Sequence, residues 1–274
     1  FDTSSGKTVD MPLEEYVAGV VLSEMPVSFH AEALKAQAAA CLTNVIRLEN
    51  PDEIGSYGGA DITDDPSAHQ GYISPEQRKV KWGDDFEKYE KKLEAAVKEV
   101  ENTVITYDSE PIVAAFCAIS PSKTESAENI WGTGIPYLVS VKSNGDRLSP
   151  AFIEKKMFDR KSFLEALDTL TGQKAPENTA GAIKIKKKSS AGTVLKANIQ
   201  NETYSGTEIR SAFSLKSAAF DIEYDGDNVI FTTYGYGHGV GMSQYGADYM
   251  ARNGKTFEEI LTHYYSGVTL EKIK

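Results

Sequence analysis

Cysteine is nearly absent: Cys41 and Cys117 are the two in the chain, and they lie far apart. That excludes a disulfide-dense scaffold and any Cys-x-x-Cys zinc or redox motif, while leaving an extracytoplasmic life open. No stretch reaches the roughly 18 consecutive apolar residues of a transmembrane helix. The four histidines, His30, His69, His238 and His263, show neither HExxH nor paired spacing. No dinucleotide fingerprint exists, because after Gly237 and Gly239 the third glycine would fall at Met242. Gly254-Lys255-Thr256 lacks the upstream glycine of a phosphate loop, and Ser243 has Tyr245 where a nucleophile elbow needs glycine. Basic residues are in deficit, 29 Lys and Arg against 40 Asp and Glu, for a net charge of −11. So acidic a chain repels phosphate backbones, which excludes general nucleic-acid binding. The chain opens at Phe1 with no initiator Met and no signal-like apolar stretch. It therefore reads as a processed or trimmed form, its membrane contact confined to a missing N-terminal anchor.

What is present fits a folded protein. The 274 residues are 41% hydrophobic and 25% charged, enough for one large domain or two lobes. Leu13, Tyr16, Val17, Val20 and Val21 recur at helical spacing from about Met11 to Met25, with Pro12 in the first turn and Pro26 as the stop. A second helix is expected from Ala31 to Leu48, with Ser28 as its cap. Pro51 and Gly55 to Gly59 mark a loop, and a further helix covers about Glu87 to Glu101. Strands are expected at Val104 to Tyr107 and at Ile112 to Ile119, then a helix near Ser162 to Leu170. Ala182 to Lys188 alternates, its lysines forming a solvated face. Phe220 to Tyr224 and Val229 to Phe231 flank an Asp225-Gly226 hairpin turn. The order of elements predicts an α+β fold: N-terminal helices packed with a strand-rich body.

Glu24 continues the apolar stripe of the first helix. Desolvation and the negative end of the helix dipole both favour the protonated carboxyl that a general acid requires. The alternative is a Glu that bends out to solvent at the helix end. Gln37 likewise interrupts a buried stripe and must find hydrogen bonds, either in the core or from a polar ligand. In Tyr234 to Ala247, glycines at 235, 237, 239 and 241 alternate with Tyr236, His238 and Val240. Such spacing permits close backbone approach to a ligand or to another strand while the intervening side chains project. Cys117 reads as a core thiol, with a Cys117–His238 nucleophile pair as the minor alternative.

Several segments together resemble the stage II sporulation protein D family. They are Met11 to Val21 with Ser23-Glu24-Met25-Pro26, Glu32 to Ala38, Gly71-Tyr72, Trp131-Gly132, Pro136-Tyr137-Leu138, Ser205 to Arg210, Gly235 to Ala247, and His263-Tyr264-Tyr265. The resemblance is collinear over nearly the whole chain. It implies a single catalytic unit spanning 1–274, with an N-terminal signature region of about 9–125 and a strand-rich region of about 126–274, arranged as two lobes around a glycan-binding groove. It also implies a lytic transglycosylase that needs no cofactor and works outside the cytoplasmic membrane, anchored in full-length form or secreted, in cell-wall remodelling during sporulation engulfment. The partners implied are peptidoglycan glycan strands and a cell-wall amidase. Glu24 falls at the family's catalytic acid/base, and Gln37, Tyr236, His238, Gln244 and Tyr245 are the expected sugar-binding wall.

The chain also departs from the family pattern. Phe116-Cys117-Ala118-Ile119-Ser120-Pro121-Ser122 replaces a Phe/Tyr-His-Ser-Thr-Ser-Gly-Gly run, and Leu42-Thr43-Asn44 replaces Arg-Thr-Tyr. Some members hold zinc near the first of these through His and Cys; Cys117 alone does not supply such a site, so no metal is expected. The altered run favours one alternative, a non-catalytic glycan-binding or amidase-enhancing protein. A third reading, a hydrolytic muramidase, needs a second carboxylate, for which Glu125 and Glu128 are the candidates.

Overall fold

A computed structural model describes residues 1–48, 59–65 and 68–273. The expected loop around Pro51 and Gly55 to Gly58 lies outside them. In chain order the elements begin with helices α1 (Leu13–Glu24), α2 (Ala31–Leu48), α3 (Pro75–Trp82) and α4 (Phe86–Glu99). Strands β1 (Thr103–Tyr107), β2 (Glu110–Pro111) and β3 (Phe116–Cys117) follow, then α5 (Ala127–Trp131), β4 (Ile153–Asp159) and α6 (Arg160–Thr171). Next come β5 (Ile183–Lys188), β6 (Val194–Ile199), β7 (Glu202–Tyr204) and α7 (Gly206–Ala212). The hairpin β8 (Phe220–Asp225) and β9 (Asn228–Tyr234) leads to β10 (Met242–Ser243), α8 (Gln244–Arg252), α9 (Phe257–Tyr264) and β11 (Thr269–Lys272). The fold is α+β, as the sequence predicts.

The chain forms two compact units, one of Phe1–Ala115 with Ala247–Lys274, the other of Phe116–Gly246. The first is built around α2. Ala33, Ala36, Ala38, Ala39, Ala40 and Cys41 are all fully buried, and these small side chains let α1, α4, α9 and β1 all pack against one helix. Thr43 donates from Oγ1 to the carbonyl of Ala39 at 2.7 Å and accepts the N–H of Ile105 at 2.9 Å, tying α2 to β1. Asn44 donates to the carbonyl of Ala114 at 3.2 Å and accepts its N–H at 3.0 Å, as a neighbouring strand would. The sheet of this unit has the order β11-β1-β2, all antiparallel, so the C-terminal strand pairs Thr103 with Lys272 and Thr106 with Thr269.

Two expectations are corrected in this unit. The side chain that caps α2 is His30, whose Nδ1 accepts the N–H of Glu32 at 3.3 Å, while among the described residues Ser28 engages through its carbonyl, accepting from Arg252. His30 is held there by Asp248, which accepts its N–H at 2.6 Å. The expected strand over Ile112 to Ile119 reduces to the two residues of β3, because Ala114 is already paired with the Asn44 side chain.

The second unit carries two antiparallel sheets, β4-β9-β8 and β5-β6-β7, and the parallel pair β10-β3. Phe163, Phe213, Phe220 and Phe231 fill its core, with ring centroids 4.9 Å apart for Phe213 and Phe231. Asp225 pairs with Asn228 across Gly226, which adopts φ +58°, so the hairpin turn falls where the sequence puts it. Lys184, Lys186, Lys187 and Lys188 are exposed, as a solvated face requires.

Gly19 fixes the packing beside α1. A Cβ there would meet the Tyr72 ring at 2.1 Å, and Tyr72 stacks on Tyr16 at 6.0 Å with the rings 3° from parallel. Gly19→Ala is therefore expected to destabilise the protein by ~2–3 kcal/mol through overpacking, read as a lowered urea midpoint with an unchanged slope.

Candidate functional site

Glu24 is the last residue of α1. Met25 leaves the helix in an extended conformation and is almost fully buried, with Val27 and Phe29 buried beyond it. Lys92 of α4 donates from Nζ to the carbonyls of Val27 at 2.7 Å and Phe29 at 2.5 Å. The turn after Glu24 is thus anchored by apolar side chains and by a cation on its carbonyls. Glu24 itself is half-buried and lines a cavity of about 410 Å3 together with Leu22 to Ser28, Lys81 and Trp82.

Lys81 and Trp82 come from α3, which the hydrophobic pattern did not mark. A capping box opens that helix: Ser74 accepts the N–H of Gln77, and Gln77 accepts the N–H of Ser74 at 2.8 Å. Arg78, nearly fully buried, locks α3 to α4 through Glu90 at 2.6 and 3.0 Å. Trp82 packs edge-on to Tyr89 at 5.5 Å.

Gln37 is fully buried, and its amide donates to the Cys41 sulfur at 3.3 Å. Burial pushes the Cys41 thiol far up, the Gln37 hydrogen bond acts against this, and the charge of Glu24 adds to it. Glu24, Cys41 and Gln37 therefore belong to one neighbourhood, in which the thiol stays protonated and unreactive.

In the second unit, the glycines at 235, 237, 239 and 241 all have positive φ, from +75° to +113°. A Cβ on Gly235 would meet the Ile119 carbonyl at 2.6 Å, and one on Gly237 would meet the Cys117 Cβ at 3.0 Å. The glycine run is therefore laid directly against Phe116 to Glu125, which includes the altered run Phe116 to Ser122. Ile119 and Tyr236 exchange backbone hydrogen bonds of 3.0 and 2.7 Å, and Glu125 donates its N–H to Gly239 at 2.8 Å.

A buried carboxylate joins the two segments. Asp146, in a short 3-10 turn (Asn144–Leu148), is fully buried and accepts Ser120 Oγ and Ser243 Oγ, each at 2.5 Å. Burial raises its pKa, and hydrogen bonds from Ser120, Ser143 and Ser243 oppose the rise. No sequence pattern marked this residue. Glu125, a candidate second carboxylate, is buried and accepts from Asn129 Nδ2 at 2.9 Å and from Ser189 Oγ; Glu128 is exposed.

His238 accepts the N–H of Val240 on Nδ1 at 3.0 Å, and its ring lies 5.8 Å from that of Trp131. Burial and the nearby Arg210 charge push its pKa down to about 4, against a backbone hydrogen bond with Phe116. It is therefore a neutral imidazole at physiological pH. Burial also pushes the Cys117 thiol far up, and Asp146 adds to the effect. Buried and held protonated, Cys117 is an inert core thiol rather than a nucleophile. Tyr236 is 43% exposed, with Lys216 Nζ 4.4 Å from its ring centroid. Gln244 is buried at the start of α8, and Tyr245 is half-buried, its N–H donated to Ala118 at 3.2 Å. The structure thus gathers Tyr236, His238, Gln244 and Tyr245 along one segment of the second unit, and Glu24 and Gln37 in the first.

A family profile described as stage II sporulation protein matches residues 2–107. Stage II sporulation protein D of Bacillus amyloliquefaciens is 40% identical over 272 residues, covering 99% of this chain and 78% of the relative. The chain belongs to the stage II sporulation protein D family. The family protein of Bacillus subtilis (strain 168) is 39% identical, with the same coverage. The amidase enhancer of Bacillus subtilis (strain 168) is 27% identical over 92% of this chain and 40% of its own length. The matched profile contains Glu24, Gln37 and the Gly71-Tyr72 pair whose ring packs on Gly19. Among the described residues, no group of three His, Cys, Asp and Glu side chains is placed to hold a metal ion, and no helix is long and apolar enough to cross a membrane.

The neutral His238 gives a pH signature. Its folded pKa of about 4 lies below the ordinary value of 6.5, so the unfolded chain takes up the proton first as pH falls. Stability is then lost between pH 6.5 and 4, by up to ~3 kcal/mol for this group. Urea midpoints measured across that range should fall more steeply for the wild type than for His238→Asn, whose amide oxygen can still accept from Val240.

Proposed function

We propose that the protein is a peptidoglycan lytic transglycosylase with Glu24 as its one acid/base, acting outside the cytoplasmic membrane on the cell wall of a sporulating bacterium. The observation that carries this reading is Glu24 on the wall of an open cavity with an aromatic ring, Trp82, beside it. A half-buried carboxyl can hold or release a proton there, and an indole face suits a sugar ring.

The reaction needs one carboxyl group. Protonated Glu24 gives its proton to the glycosidic oxygen between N-acetylmuramic acid and N-acetylglucosamine, and the bond to the muramoyl C1 breaks. The muramoyl C6 hydroxyl then attacks C1, and the Glu24 carboxylate takes the hydroxyl proton as the 1,6-anhydro ring closes. The acid is regenerated and water takes no part, so a second carboxylate has no task. Tyr236, His238, Gln244 and Tyr245 bind the glycan in this reading, with rings and amides that suit neutral sugars. Gln37 acts at one remove, fixing Cys41 beside Glu24. A cell-wall amidase acting on the same polymer is the partner this role implies.

A second reading, glycan binding that enhances an amidase without turnover, is favoured by the similarity to the amidase enhancer. Mass spectrometry of purified peptidoglycan after digestion separates the two. The transglycosylase releases muropeptides ending in 1,6-anhydro rings, and Glu24→Gln lowers that rate by at least about 100-fold while glycan binding persists. Reducing ends, or an active Glu24→Gln protein, would overturn the mechanism; binding without products would favour the second reading.

A further inference from the structure

Arg210 holds an unspent charge. It lies on α7, which opens with a capping box of Ser205 and Glu208 and is pressed against β6, where a Cβ on Gly206 would meet the Val194 carbonyl at 2.3 Å. Ile209 is fully buried, and Arg210 beside it is half-buried. Arg210 Nε donates to the Leu215 carbonyl at 3.3 Å, and the Leu215 N–H returns to the Arg210 carbonyl at 2.9 Å. Among the described residues, no carboxylate pairs with this guanidinium, and its two terminal nitrogens have no acceptor.

The next residue in this turn, Lys216, is also unpaired with any carboxylate among the described residues. Its ammonium lies over the Tyr236 ring, and its carbonyl accepts the N–H of Gly237 at 3.0 Å. Segment 215–217 therefore runs beside Tyr236-Gly237-His238, with Trp131 against His238 and half-exposed. The Arg210 charge reaches His238, which stays neutral, so the histidine does not add to the positive charge. In a chain of net charge −11, two uncompensated cations here adjoin two exposed aromatic rings.

Neutral N-acetylglucosamine gives a guanidinium nothing to pair with, whereas a muramoyl sugar bears a carboxylate. We propose that Arg210 and Lys216, flanking Tyr236, form a subsite for a carboxylate carried by the muramoyl residue of the glycan. The proposal rests on the glycan-binding part of the function above. The carboxylate is that of the lactyl ether in peptide-free strands, or one on the stem peptide in substituted strands. A guanidinium holds either as a charge-assisted pair.

Calorimetric titration of the full chain carrying Glu24→Gln tests this with three ligands of one length: peptide-free muramoyl oligosaccharide, its peptide-bearing form, and the peptide-free form with the lactyl carboxylate reduced to an alcohol. The expected result is binding of at least one acidic ligand about tenfold or more tighter than the reduced one, with that gap closing in high salt. Adding Arg210→Gln should abolish the gap while leaving affinity for the reduced ligand unchanged, and Arg210→Lys should restore part of it. Preference for the peptide-free form assigns the lactyl carboxylate; preference for the peptide-bearing form assigns the stem. Equal binding of all three, or an Arg210→Gln loss shared by all three, overturns the subsite. Cleavage by the wild-type chain is scored separately: absence of anhydro products sinks the transglycosylase mechanism without touching the carboxylate preference.

Discussion

The carboxylate of Asp146 is buried, and it tolerates burial because serine hydroxyls on separate stretches of chain surround it. A carboxylate out of water is costly unless it is hydrogen-bonded, so each serine is held as firmly as it holds. Ser120 and Ser243 bring the 116–125 stretch beside the glycine run, in the register that pairs Met242 with Phe116 and Ser243 with Cys117. Once that register is set, a Cβ on Gly235 would clash with backbone, and one on Gly237 would press against the Cys117 Cβ with the backbone at φ +113°. The alternation of glycine with Tyr236 and His238 follows from this constraint: one set of positions is consumed by packing, and the other is left to project. A residue invisible in the sequence pattern thus orders the most conspicuous motif in it.

In the first unit the organising device is smallness rather than charge. The alanines of α2 let four elements share one helix, and Gly19 admits the Tyr72 ring against α1. The helix that ends in Glu24 is thus fixed at that ring and at Met25.

Much of this could be read in advance where the signal was periodic or compositional. The apolar stripe from Leu13 to Val21, the Pro26 stop, the span of α2 and the Asp225-Gly226 turn all carried their own explanation. The short helices did not, because α3, α7 and α9 are too brief to show a stripe. Each begins with a capping box, at Ser74-Gln77, Ser205-Glu208 and Thr256-Glu259, so a search for that spacing would have found them. With α3 unmarked, Trp82 was missed as a neighbour of Glu24. Ser28 was a reasonable cap by residue type, but Asp248, far along the chain, holds His30 in the role instead. Asp146 and Arg210 were unreadable for a similar reason: what singles them out is the presence or absence of partners contributed by distant stretches of chain.

Both ends of the chain serve the first unit, and all of the second is made between them. During synthesis α2 emerges before the second unit, yet Ile260, Leu261 and Tyr264 of α9, a helix that packs against α2, and β11, which pairs with β1, emerge after that unit. The nascent chain must carry an incompletely covered α2 and an unpaired edge on β1 while Phe116 to Gly246, which needs no later residue for its core, can already close. The unit bearing Glu24 is therefore closed by a segment that follows the whole of the unit bearing the aromatic and cationic surface.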